Sequence, residues 1–158
     1  MDREQPFTGP DVLYFAILIG YGKYQNRNAY QDLDASENDI EHMHQYLKTT
    51  SFQDDITVML DSDREEVEQK MKEAVVKANI DRRVVAFVYY TGHGIMQGRD
   101  TVCIPGTDGP VINVDKFCRE ISKFPNCLLM GLLDCSRVKS THEEYKDEEE
   151  PYRCYPSG

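Results

Sequence analysis

The chain has 158 residues, a formal net charge of −10, 40% hydrophobic and 29% charged residues. That length favours one domain with its own core, and the composition is that of a soluble globular protein. The negative charge argues against nucleic-acid binding, and half of it lies between Glu143 and Glu150, where six acids accompany one lysine in a solvated tail.

The longest apolar stretch, Val12 to Ile19, is far too short to cross a bilayer and lacks the flanks of a signal peptide. No membrane partner is expected, and a cytoplasmic protein (nucleus included) is the default. Five cysteines, at 103, 118, 127, 135 and 154, make an odd number with no CxxC pair. Reduced core thiols are expected rather than a disulfide framework or a zinc knuckle.

In chain order, residues 1–10 read as a flexible leader. Val12 to Ile19 is a continuous apolar run, as in a strand buried on both faces. Gly20-Tyr21-Gly22 opens a polar loop through Gln31. Ser36 to Lys48 predicts a helix with Ser36 as N-cap and Ile40, Met43, Tyr46 and Leu47 on one face. Ile56 to Leu60 predicts a short strand. Ser62 to Ala78 predicts a second helix, capped by Ser62 with Glu65 three residues on. Val84 to Tyr90 is β-branched and aromatic, hence a strand. Thr101 to Ile104 suits a hairpin arm, Asn113 to Phe124 a third helix, and Cys127 to Leu133 another buried strand. Strands alternating with helices imply an α/β fold: a mostly parallel sheet covered by helices on both faces. Ligands of such sheets bind beyond the carboxyl ends of the strands.

Two segments place reactive side chains at those ends. Tyr89-Tyr90-Thr91-Gly92-His93-Gly94 puts a histidine, a proton carrier near neutral pH, between two glycines. The Gly94 amide is a candidate oxyanion donor. Leu132-Leu133-Asp134-Cys135-Ser136-Arg137 offers a carboxylate and two nucleophiles. His42, His44 and His142 have no such setting. Gly20-Tyr21-Gly22 lacks the third glycine and the following helix of a nucleotide-binding turn.

The segments "AILIGYGKY", "ENDI", "YYTGHG", "IPGTD" and "LLDCSR", in this order over residues 15–138, resemble the caspase-like cysteine peptidases, closest to the paracaspase and metacaspase branch. The resemblance implies a three-layer sandwich, here its large-subunit portion (11–138) followed by an acidic inter-subunit linker or tail (139–158) and incomplete at one sheet edge. It implies a Cys-His dyad with His93 as the histidine and a protein or peptide substrate. It also implies a partner at the open edge, a small-subunit half or a second protomer. Lys139, Lys146 and Arg153 are candidate cleavage points in the linker. In this branch two acids bind an Arg or Lys side chain, and the matching residues are Asp39 and Asp134. A carboxylate pair suits a guanidinium, although Asp39 also fits an ordinary first-turn helix acid. No cofactor is implied. Calcium is not supported, because the loop after His93 holds only Asp100 and Asp108 as acids.

The pattern departs at the nucleophile. Counted from Asp134 and Arg137, the nucleophile position is Ser136, and Cys135 falls one residue early. Neighbouring side chains of a strand point to opposite faces, so one of the two faces the core. A hydroxyl is also harder to activate than a thiol, and no third group to orient His93 is evident. Three readings stay open: a designed replacement of cysteine, a native pseudoprotease acting as an interaction module, or a local shift that turns Cys135 into the cleft.

Overall fold

The computed structural model describes residues 11–107 and 109–137. The readings of the leader, of Asp108 and of the acidic tail with Lys139, Lys146 and Arg153 lie outside the described residues. In chain order the elements are β1 (Val12–Gly20), α1 (Ala35–Leu47), β2 (Ile56–Leu60), α2 (Arg64–Ala78), β3 (Arg83–Gln97), β4 (Asp100–Cys103), α3 (Val114–Ser122) and β5 (Cys127–Arg137).

β2, β1, β3 and β5 lie side by side and parallel. β4 turns back antiparallel on the far end of β3, with Gly94 opposite Cys103. The expected α/β architecture is the observed one. β1 and β3 form the centre, and their unbroken apolar runs are buried on both faces. Phe15, Ile17, Ile19, Val84, Ala86, Val88 and Tyr90 face α2 and α3, where Val67, Ala74, Ala78, Val114, Phe117 and Ile121 meet them. The opposite pleat positions Ala16, Leu18, Val85 and Tyr89 meet Ile40 and Leu47 of α1. Each large apolar side chain so buried contributes about 1.5–3 kcal/mol.

Several local expectations need correction. The N-cap of α1 is Asp34, not Ser36, and that of α2 is Asp63, not Ser62; neither cap side chain bonds the helix. Ser36 is buried instead, and the Ser62 carbonyl accepts a hydrogen bond from Tyr21 Oη at 2.8 Å. Tyr46 is exposed rather than part of the apolar face of α1. The third helix is the one with a side-chain cap, Asn113 accepting from the Lys116 amide at 2.8 Å.

The two strands that carry the motifs are longer than their apolar runs predict. β3 continues through His93 to Gln97 because β4 and β5 give its polar end partners to pair with. His93 therefore lies inside a strand. A fork from Arg119 to Asp100, with N–O distances of 2.6 and 2.9 Å, ties α3 to β4 and, with Asn113, holds the Asp100 carboxyl down at about 2.

Among the described residues β5 has one strand partner, β3, and on one face it presents Leu128, Met130 and Leu132 at 45, 44 and 49% exposure. No helix among the described residues is long and apolar enough to cross a membrane.

Candidate active site

The histidine end of the site is assembled by β3 and the loop 21–34. Asp61 anchors that loop. It sits at the end of β2 with a φ of 50°, a left-handed conformation that Asp tolerates better than most residues. Its Oδ1 accepts the amides of Gly22 and Lys23 at 2.8 and 2.9 Å. Asp32 Oδ1 accepts the Tyr24 amide at 2.9 Å. The Gln25 amide donates to the Gly106 carbonyl at 2.8 Å, where a Cβ on Gly106 would stand 2.1 Å from the Lys23 carbonyl oxygen. Only glycine permits that approach, which accounts for the Pro105-Gly106 turn.

Held in this way, the loop lays the Gln31 carbonyl 2.8 Å from His93 Nε2 and the rings of Tyr24 and Tyr30 against the imidazole, at centroid distances of 4.6 and 5.6 Å. A carbonyl can only accept, so Nε2 donates to it, and in the neutral ring Nδ1 is the acceptor. His93 is 3% exposed, and its Nδ1 has no hydrogen-bond partner among the described residues. The ring thus has one nitrogen anchored and one ready to take a proton. The sequence showed no third group to orient His93 because the orienting atom is a main-chain oxygen.

β5 runs parallel to β3 in a register that pairs Gly92 with Cys135, His93 with Ser136 and Gly94 with Arg137. Cys135 packs with the core side, beside the Cys103 thiol. A Cβ on Gly94 would come within 2.9 Å of its Sγ. Burial, and then the hydrogen bond with Cys135, push the Cys103 thiol well above the usual range. Cys103 on β4 and Cys135 on β5 flank β3, and neither is in a disulfide. Gly94 is paired on both sides, so its backbone is fixed by the sheet.

The two acids singled out by sequence lie on different elements, α1 and β5. Asp134 is exposed and is the register partner of Thr91. Asp39 is half-buried in the second turn of α1, beside the core residue Ile40. The Tyr89 phenol is pushed up by burial first and then by Asp39 and Asp134, with an opposing hydrogen bond from Thr91. Both carboxylates, from opposite halves of the chain, thus act electrostatically on Tyr89, on the strand that carries His93. No group of three or more His, Cys, Asp or Glu able to hold a metal ion occurs among the described residues.

Gln31, Tyr24, Tyr30, Tyr89 and Thr91 were not anticipated as site residues. The traces in the sequence are the density of tyrosines between positions 21 and 30 and the place of Tyr89 and Thr91 inside the histidine segment.

Against known proteins, the family profile describing the caspase domain matches residues 14–155. No curated protein sequence matches the chain. With the profile spanning nearly the whole length, the chain belongs to the caspase domain family, whose members are cysteine peptidases.

Proposed function

We propose that this chain is the large-subunit part of an endopeptidase that cleaves after Arg or Lys, akin to paracaspases and metacaspases, and that residue 136 decides its activity. The observation that carries the reading is the state of His93: Nε2 anchored on Gln31, Nδ1 buried without a described partner, and Ser136 directly opposite in register. A thiol at position 136 would give its proton to Nδ1 and attack the scissile carbonyl. The imidazolium would then protonate the leaving amine, and water would release the acyl group. The Gly94 amide is the proposed oxyanion donor. Asp39 and Asp134 would hold the guanidinium or ammonium of the residue ahead of the scissile bond.

A hydroxyl at 136 is a weaker fit to this machinery, because it relies on the base for nearly all of its activation. Cys135 does not fill the role, since it pairs with Gly92 and packs on the core side. The open edge and exposed apolar row of β5 support a second polypeptide half, a small subunit or another protomer, as the partner.

A peptide electrophile ending in Arg tests the assignment. In the Ser136→Cys chain it is expected to label the sulfur introduced at position 136, located by mass spectrometry after digestion. Labelling of Cys135 instead, or equal labelling by an Asp-ended electrophile, overturns it. Ser136 itself favours a second reading, a pseudoprotease that binds partners through the same groove. On that reading Ser136→Cys gains no reactivity, while Asp39→Ala abolishes partner binding in a pull-down.

A further inference from the structure

The first glycine of Gly92-His93-Gly94 is accounted for by two phenols. A Cβ on Gly92 would stand 2.6 Å from Tyr90 Oη and 3.0 Å from Tyr24 Oη, so the two hydroxyls fill the space its side chain would need. Its φ of 153° adds a second reason for glycine.

From that space each hydroxyl reaches the backbone of His93. Tyr90 Oη donates to the His93 carbonyl at 2.6 Å, and Tyr24 Oη accepts the His93 amide at 2.8 Å while donating to the Tyr21 carbonyl at 3.1 Å. Both tyrosines are buried, at 0 and 3% exposure. The same loop that carries Tyr24 also carries the Gln31 carbonyl and the Tyr30 ring. The amide, ring and anchor of His93 are therefore referenced to that one segment.

We propose that Tyr24 and Tyr90 are positioning residues: a two-phenol clamp that fixes the His93 peptide and so keeps its ring on the Gln31 carbonyl with Nδ1 as the proton acceptor. This rests on reading His93 as the general base. The two arms are unequal. The His93 carbonyl also accepts the Ile104 amide at 3.0 Å and keeps that bond if Tyr90 is lost. The His93 amide has one proton and gives it to Tyr24, so removing that oxygen leaves a buried donor unsatisfied. Burial keeps both phenols protonated far above neutral pH, Tyr24 up to about 12, so the clamp stays neutral.

The experiment is nitrogen-15 NMR of the histidine ring in the full chain, with His93→Gln used to assign the His93 signals. The unaltered chain is expected to show a single Nε2–H tautomer at pH 8. Tyr24→Phe is expected to give a mixture of tautomers, and Tyr90→Phe a smaller admixture. In the Ser136→Cys background the same variants are expected to lower kcat at least tenfold with little change in KM, and Tyr24→Phe more than Tyr90→Phe. Variants that melt at a lower temperature but keep the Nε2–H tautomer and kcat overturn the clamp and leave the reading of His93 intact. An Nδ1–H tautomer in the unaltered chain overturns both. If Tyr24→Phe does not fold, amide exchange decides. The His93 amide is expected among the slowest of the chain, and exchange at the rate of an exposed amide overturns the clamp.

Discussion

The two motif-bearing strands meet along one ladder, yet they are finished to different degrees. β3 is paired along both edges by β1, β4 and β5, and its histidine is fixed at the amide, the carbonyl, Nε2 and the ring faces. β5 has one described strand neighbour, carries a row of half-exposed Leu and Met side chains, and ends in an exposed carboxylate beside the nucleophile position. The base side of the site is thus complete within the described residues, whereas the nucleophile side still offers surface to a partner. On the proposed reading, such a divided site holds its histidine ready while reactivity waits on residue 136 and on a partner at the β5 edge.

The largest expected difference lies in the chemistry. In the Ser136→Cys background, His93→Ala should lower kcat/KM on an Arg-ended peptide by about 10²–10⁴, the usual worth of a positioned acid–base group. A fall of less than tenfold, measured by steady-state hydrolysis, would break the link between the finished side and catalysis.

Stability should separate the two strands' surroundings next. Ile121, fully buried against β3, should cost about 2–5 kcal/mol as Ile121→Ala. Leu132→Ala, on the open face of β5, should cost about 0.5 kcal/mol or less in the isolated chain. Denaturant unfolding reads both, and equal costs would show that the β5 face is already covered.

Recognition comes third. Asp39→Asn or Asp134→Asn should each remove about 1.5–3 kcal/mol of charged hydrogen bonding to a guanidinium, a loss of roughly 10- to 200-fold in kcat/KM for Arg substrates. An unchanged preference for Arg over norleucine in either variant would contradict the carboxylate pair.

The last effect is on pH. Burial pushes Tyr24 up to about 12, against about 10 for a tyrosine in an unfolded chain. Between those values the folded chain keeps a proton that the unfolded chain has lost. Stability is therefore full below pH 10 and declines as pH rises toward 12. Urea midpoints taken across that range, with phenolate absorbance followed in parallel, should fall; a flat midpoint to pH 11.5 would contradict the burial of this clamp residue.

What the sequence revealed follows the range of the forces involved. β1 and the first part of β3 were legible because a strand buried on both faces writes itself as a run of β-branched, aliphatic and aromatic residues. The ends of β3 and β5 were not, because Gly92 to Gln97 and Asp134 to Arg137 are polar or glycine-rich and become strand only through partners far along the chain. The helix starts slipped by one or two residues where Asp34 and Ser36, or Asp63 and Ser62, were competing N-caps. At the site, Asp39, His93 and Asp134 were chosen by type and position; Asp134 and His93 fall on neighbouring paired strands and Asp39 on α1. Gln31 was invisible because it contributes a carbonyl that any residue would carry. Tyr24 was invisible because its value lies in where a hydroxyl reaches across sixty-nine positions of sequence.

The most direct test of the central claim is hydrolysis of matched Arg-ended and Asp-ended peptides by the Ser136→Cys chain assembled with a small-subunit half. The account predicts cleavage after Arg, abolished by His93→Ala and absent after Asp. No cleavage after Arg by that assembled cysteine form, or cleavage after Asp in its place, would contradict it.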